Sequence, residues 1–225
     1  MKNIKDLIYL NKHGWYWPKI DPSDIADSTW SFLHDKYPDT PEKIANYVPL
    51  KRVAVQAGGN CGLYVKKLSD LFETVYTFEP DPLNFACLNL NVIKDNVYKF
   101  PTGLGNEHVA IAMADYNAQL GCGGNHISNS KKSGTIPTLK IDDLNLQVCD
   151  LIMLDVEGYE LFALQGGKKT IQRCKPVITL ELANYTGRYG YSLEDLFNFL
   201  SSINYKHMGA IADTMSDHLF MHIGV

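Results

Sequence analysis

One stretch narrows the choice of fold more than any other. The apolar run RVAVQ (52–56) passes into the turn AGGNCG (57–62) and then into LYVKKLSDLF (63–72), where Leu63, Leu68, Leu71 and Phe72 recur at helical spacing. This reads as a strand, a glycine turn and a helix, the unit from which parallel sheets are built. The alternation then continues. TVYTFEP is a second strand ending at Glu79, and Asp81 before Pro82 supplies an N-cap and an N1 proline for a helix over PLNFACLNLNVI. A third strand fits NVYKFPTGLG, and DLIMLDVEGYE gives a strand closed by Asp155 and then a helix running to about Arg173. Lys175-Pro176 stops that helix ahead of the strand VITLELAN. Ser192, with Asp195 three residues on, makes a capping box for a helix whose apolar face is Leu193, Leu196, Phe197, Leu200 and Ile203. HMGAIA and HLFMHIGV, joined by the turn DTMSD, close the chain as an antiparallel hairpin on the sheet edge. The pattern is that of a mostly parallel sheet with helices packed on it.

Two regions depart from the alternation. From HVAIAMADY to GTIPTLKIDDL the chain reads as irregular β structure around the glycine-rich loop 121–125. Residues 1–49 hold all three tryptophans, Trp15, Trp17 and Trp30, and several prolines. They are expected to form a helical, aromatic-rich cap on an α/β domain spanning 50–225. Its WYWP segment is either a lid presenting aromatics to a substrate or, as is commoner for large rings, an apolar underside packed on the sheet.

Charge and hydropathy exclude several classes. Lys and Arg number 21 against 25 Asp and Glu, a formal charge of −4, with no basic run longer than Lys-Lys. A phosphate-binding surface wants a basic stripe, so no nucleic-acid partner is expected. No apolar run approaches the roughly 20 residues that cross a bilayer, and MKNIKDLIYLNKHGW lacks a signal peptide's cleavage site. The expected setting is the cytoplasm, with no membrane partner. The 5 cysteines are scattered and include no CxxC, which fits reduced thiols.

In an open parallel sheet, ligands sit outside the carboxyl ends of the strands, beside the point where strand order reverses. Gly58, Gly59 and Gly62 let the backbone turn close to such a ligand, and Glu79 stands where an acid reaches ribose hydroxyls. Asn60 replaces the middle glycine that a dinucleotide turn wants, and no GxxxxGK[ST] is present. These two facts disfavour an NAD-linked oxidoreductase and any pyrophosphate ligand, and they favour a nucleoside cofactor such as S-adenosylmethionine.

AGGNCG, YTFEPDPLNF, TLKIDDL, LIMLDVEGYE and PVITLEL, in that order over about residues 51–183, resemble the successive motifs of the FkbM-type methyltransferases. VEGYE is the most specific of them. The resemblance implies a Rossmann-like class I methyltransferase fold, α/β, with about seven strands, helices on both faces and an antiparallel edge hairpin. It also implies S-adenosylmethionine as cofactor, S-adenosylhomocysteine as product, and O-methylation of a hydroxyl on a sugar or other small-molecule or glycan acceptor. Carried over by position, Gln56, Gly58, Gly59, Asn60, Gly62, Glu79, Pro80, Leu104, Gly105 and Asp155 would meet the cofactor, with Glu79 on the ribose and Leu104 and Gly105 beside the adenine. Tyr159, Asn184 and Tyr185 are placed to meet the acceptor.

Two positions depart from the family. Gln56 stands where an acid usually helps bind the cationic end of methionine, and loss of that charge forfeits on the order of 1–2 kcal/mol. Met153 stands where the family commonly has a lysine two residues before the Asp. They motivate the alternative of a catalytically inactive cofactor-binding or interaction protein on the same fold.

Methyl transfer to a hydroxyl requires alignment, exclusion of water and a group that takes the proton. Asp155, Glu157 and Glu181, at or near adjacent strand ends, are the candidates. No resident metal is expected, and a divalent cation held by the same acids is the rival to a carboxylate base. Each acid has a structural alternative: Glu157 could cap the next helix or satisfy backbone amides, and Glu181 could sit in a buried ion pair. His218 and His222 share a face of the last strand, where satisfied or exposed histidines are the better expectation than a metal site. A homodimer is the base-rate expectation for assembly.

Overall fold

A computed structural model describes residues 4–21, 36–117, 119–129, 134–182, 186–214 and 216–224. Its centre is a seven-stranded sheet. In chain order the strands are β3 (Val53–Ala57), β4 (Thr74–Phe78), β5 (Val97–Phe100), β9 (Leu151–Leu154), β10 (Val177–Glu181), β11 (Tyr205–Ala210) and β12 (Asp217–His222). They lie side by side as β11-β12-β10-β9-β3-β4-β5. β12 alone runs antiparallel to its neighbours; the other contacts, β10 to β9, β9 to β3, β3 to β4 and β4 to β5, are parallel.

The central strands read as near-continuous apolar runs because both faces are covered. On one face Val55, Ile152, Leu154, Ile178 and Leu180 pack with Leu161 and Leu164 of α4 (Glu160–Gly166) and Leu196 and Leu200 of α6 (Leu193–Ser202). On the other, Ala54, Leu151, Met153 and Val177 meet Ile44 of α1 (Thr40–Ala45), Val65 and Leu68 of α2 (Leu63–Leu71) and Leu88 of α3 (Pro82–Asn91). Each such Leu or Ile, fully buried, contributes about 1.5–3 kcal/mol. The expected caps are present: Asp81 accepts from Leu83 N and Asn84 N at 2.9 and 3.0 Å, and Ser192 and Asp195 form the capping box of α6.

Three expectations need correction. The helix after VEGYE is two helices, α4 and α5 (Lys168–Cys174), broken at Gly167. The break exists because the Asp142 carboxylate, on the 3₁₀ turn Ile141–Leu144, accepts from Lys169 N and Thr170 N at 3.2 and 2.8 Å and starts α5 afresh. The third strand stops at Phe100; Gly103–Leu104 (β6) instead joins Ala110–Ile111 (β7) and Ile136–Leu139 (β8) in a three-stranded sheet of order β6-β8-β7. That small sheet organises the region expected to be irregular. The closing hairpin does reach the edge, but β12 lies inside it, between β10 and β11. His218 is therefore interior to the sheet, with its Nδ1 2.8 Å from Nε2 of His207.

The described part of residues 1–49 contains α1 and a β-hairpin, β1 (Ile8–Leu10) with β2 (Tyr16–Pro18). Asn91 of α3 holds the hairpin, accepting from Tyr16 N at 2.8 Å and donating to Tyr16 O at 2.9 Å. Trp17 is fully buried against Cys61, Cys87 and Cys122, so the WYWP segment packs rather than faces a cleft.

Candidate active site

β3 is where the strand order reverses, with β4 on one side and β9 on the other. Beyond their carboxyl ends the backbone is drawn tight: Gly58 N and Gly59 N both donate to Phe78 O at 3.0 Å, and Asp155 N donates to Ala57 O at 3.1 Å. A cleft opens here. Its lining brings polar Glu79, Asp155, Asn125 and His126 together with apolar Phe78, Leu104, Met113 and Ile127, and includes Gly58, Pro80 and Tyr159. A lining that mixes carboxylates with apolar side chains suits a nucleoside.

Glu79 lies almost wholly inside. Its Oε2 accepts from Asn60 N at 2.7 Å and its Oε1 from Asp81 N at 2.8 Å. Burial pushes its carboxyl up to about 8, against the pull of those two amides. Each oxygen keeps a lone pair for a further donor.

The other expected cofactor residues divide. Gly58, Glu79, Pro80, Leu104 and Asp155 line the cleft. Gln56 points into the sheet, donating from Nε2 to Gly58 O at 2.9 Å and accepting from Thr77 Oγ1 at 2.5 Å. Asn60 turns its side chain away, donating to Cys122 O at 3.2 Å, while its backbone N serves Glu79. Gly59 packs under Thr77 and Leu88, Gly62 against Val92 and Leu88 of the α3 region, and Gly105 near Tyr159. Asn184 and Tyr185 lie outside the described residues.

The three candidate acids do come together. One carboxylate oxygen from each of Asp155, Glu157 and Glu181 lies within 4.8 Å of the others. Asp217 joins them, because β12 pairs Asp217 with Glu181 in antiparallel register. Burial, followed by the charges of Glu181 and Glu157, pushes the Asp155 carboxyl far above the usual range. Glu157 is pushed up to about 8 and Asp217 to about 6, in each case by burial first and then by Glu181. Ser216 Oγ donates to Glu181 Oε1 at 2.9 Å. Glu157 does not cap the helix: its Oε2 is a buried atom with no hydrogen-bond partner among the described residues. Glu160 takes the backbone amides of this turn, accepting on Oε1 from Val156 N at 3.1 Å and Gly158 N at 3.3 Å.

Sequence reasoning passed over several of these residues. Glu160 stood in the VEGYE motif, so its spacing from Val156 offered a signal. Asp217 offered none, since only strand register brings it to Glu181. Asp21 is a buried hub, accepting from Trp17 Nε1 at 2.8 Å, Tyr116 OH at 2.7 Å and Cys122 N at 3.2 Å, and it ties the hairpin to the loop beside the glycine turn.

A family model described as the methyltransferase FkbM domain matches residues 56–207. No curated protein matches the chain. Among solved structures, the methyltransferase FkbM from Methylobacillus flagellatus KT is 18% identical with a TM-score of 0.52, over 89% of this chain and 55% of that one. The present chain thus spans about half of that protein's length. A SAM dependent methyltransferase from Aquifex aeolicus is 14% identical with a TM-score of 0.52, over 91% and 100% of the two chains. The ribosomal protein L11 methylase from Lactobacillus delbrueckii subsp. bulgaricus is 8% identical with a TM-score of 0.51, over 85% and 80%. At such identities the likeness to these structures is one of fold. No helix among the described residues is long and apolar enough to cross a membrane.

Proposed function

The chain belongs to the FkbM family of S-adenosylmethionine-dependent methyltransferases, and from that footing we propose that it methylates a hydroxyl on a sugar or other small-molecule or glycan acceptor. The observation that carries the reading is that Glu79 and Asp155 line one cleft at the switch point of the sheet. The lining fits the cofactor: a buried carboxylate with lone pairs to spare, the close backbone of Gly58 and apolar side chains at Phe78, Leu104 and Ile127.

Glu79 holds the ribose hydroxyls, and Pro80 and Leu104, with neighbouring Gly105, border the base. Gln56 acts through Gly58 O, and Asn60 acts through Glu79. Bound in this cleft, the cofactor supplies a methyl group on a cationic sulfur. Asp155 accepts the acceptor's hydroxyl proton; an elevated carboxyl, once ionised, is a better base than an ordinary one. Glu181 and Glu157 stand close enough to share that proton. Tyr159 at the cleft, with Asn184 and Tyr185, contacts the acceptor. Residues 1–49 serve as a cap that Asp21 fastens beside the cofactor turn.

The test is calorimetric titration with S-adenosylmethionine and S-adenosylhomocysteine, followed by a panel of hydroxylated acceptors scored for S-adenosylhomocysteine release. Micromolar binding that Glu79→Ala weakens at least about tenfold is expected, the worth of one charge-assisted hydrogen bond. Binding without turnover on any acceptor would favour the inactive cofactor-binding protein that Gln56 suggests. Absence of binding would overturn the site.

A further inference from the structure

The turn joining Asp155 to α4 adopts a backbone that an L side chain resists, with φ of +57° at Glu157 and +98° at Gly158. Four contacts hold it there. Glu160 Oε1 accepts from Val156 N at 3.1 Å and Gly158 N at 3.3 Å, Tyr191 OH donates to Gly158 O at 2.6 Å, and Arg188 Nη1 donates to Glu157 O at 2.7 Å. Tyr191 OH also accepts from Leu161 N at 3.4 Å and lies 3.4 Å from Glu160 Oε2, which fixes the carboxylate and the hydroxyl against each other.

These bonds are not those of a helix cap. A cap serves amides of its own first turn, whereas Glu160, itself the first residue of α4, reaches back to amides that precede the helix. Tyr159, the residue in the cap position, makes no side-chain cap bond. Glu160 is 2% exposed and is not among the residues lining the cleft.

We infer that Glu160, partnered by Tyr191, is the positioning residue of the reaction centre: it locks the left-handed turn that directs the Glu157 carboxylate inward, onto Asp155 and Glu181, rather than out to solvent. The inference rests on the proposed role of those acids. Its geometric core is that one acceptor oxygen bridges the amides on either side of Glu157, so that residue cannot rotate without breaking both bonds. The charged and titratable groups facing the turn are Asp155 before it, Glu181 on β10, Asp217 on β12, and Arg188, Tyr189 and Tyr191 between β10 and α6.

The experiment is a ¹³C-carboxyl NMR titration of the full chain, which needs no acceptor. In the wild type Glu157 titrates well above an ordinary glutamate. Glu160→Ala is expected to lower it by roughly one pH unit or more as the side chain swings to water. Glu160→Gln keeps an acceptor oxygen in place but also removes the Glu160 charge that raises Glu157, and is expected to lower Glu157 clearly less than Glu160→Ala does. Glu157 unmoved in Glu160→Ala, or lowered equally by Ala and Gln, would overturn the inference. Should Glu160→Ala not fold, Tyr191→Phe replaces it: the ring stays against Phe162 while the bond to Gly158 O is lost. A lower Glu157 titration is expected there, and no change overturns the inference. S-adenosylhomocysteine calorimetry on the same samples is expected to show unchanged affinity. Loss of binding already in the wild type would sink the cofactor site alone and leave the titration to judge the turn.

Discussion

A Cβ added to Gly58 would lie 1.8 Å from the carbonyl oxygen of Asp155. The first and fourth parallel strands thus approach at a point that only glycine permits, and the same residue has a φ of +84°. Gly58→Ala must move the backbone of Asp155 or its own turn, and is expected to destabilise the chain by at least about 2–3 kcal/mol. Urea denaturation measures it. A loss under about 0.5 kcal/mol would show that the two strand ends are not in this contact.

Glu79 leads to a pH prediction. Burial holds its carboxyl at about 8, and with ribose hydroxyls donating to the ionised form, as proposed, binding would lower it and release a proton. Affinity for S-adenosylhomocysteine is then expected to rise with pH up to about 8, approaching tenfold per unit, and to level off above. Glu79→Gln removes the slope along with most of the affinity. Calorimetry in buffers of different ionisation enthalpy reads the released proton directly, and a flat profile in the wild type counts against Glu79 as the ribose ligand.

How much of this was legible beforehand follows from range in the chain. The glycine turn, the Asp81 and Ser192 caps and the acid at the end of β4 are local patterns, and the residues that form them are neighbours in sequence. The break at Gly167 was not, because its cause is Asp142, a side chain from another turn. Nor was the place of β12, since hairpin periodicity is the same whichever strand is outermost. At the site, Gly58, Glu79 and Asp155 could be placed at one cleft because strand ends gather there by rule, and they line it. Asn60 and Gln56 were expected to face the ligand, and which way a side chain turns depends on partners, Cys122 O and Thr77 Oγ1, that come from other elements.

The carboxylate cluster sets a second pH dependence, in stability. Glu157, Glu160 and Asp217 are raised to about 8, 7 and 6 in the fold, chiefly by burial. The folded chain therefore binds protons that the unfolded chain has released. Their stabilising contribution is complete below the unfolded values near 4 and is lost as pH rises through about 6 to 8. The unfolding midpoint should fall between pH 5 and 8.5. Glu157→Gln, which leaves the cluster one charge short, should raise it at pH 8.5 by on the order of 1–2 kcal/mol, roughly 2–8 °C, with little gain at pH 5. A gain of equal size at both values would show that the effect is not protonation.

Gln56 and Met153, the two departures from the family pattern, are cross-strand partners. Parallel register pairs Gln56 of β3 with Met153 of β9, on the same face of the sheet, and both are about fully buried, at 2% and 1% exposed. Where the resemblance leads one to expect an acid and a lysine, this chain has two adjacent neutral groups, and the amide bonds Gly58 O and Thr77 Oγ1. Restoring one charge alone should therefore harm rather than repair. Gln56→Asp loses the donor to Gly58 and buries a carboxylate without a cation, at a cost of about 2–4 kcal/mol, and Met153→Lys buries a lone ammonium at a similar cost. The double variant should recover at least about 1–2 kcal/mol relative to the sum of the two. Urea denaturation of all four proteins closes the cycle. Strict additivity would mean that the two substitutions are unrelated, and stabilisation by Gln56→Asp alone would mean that the glutamine is a loss the fold has not accommodated.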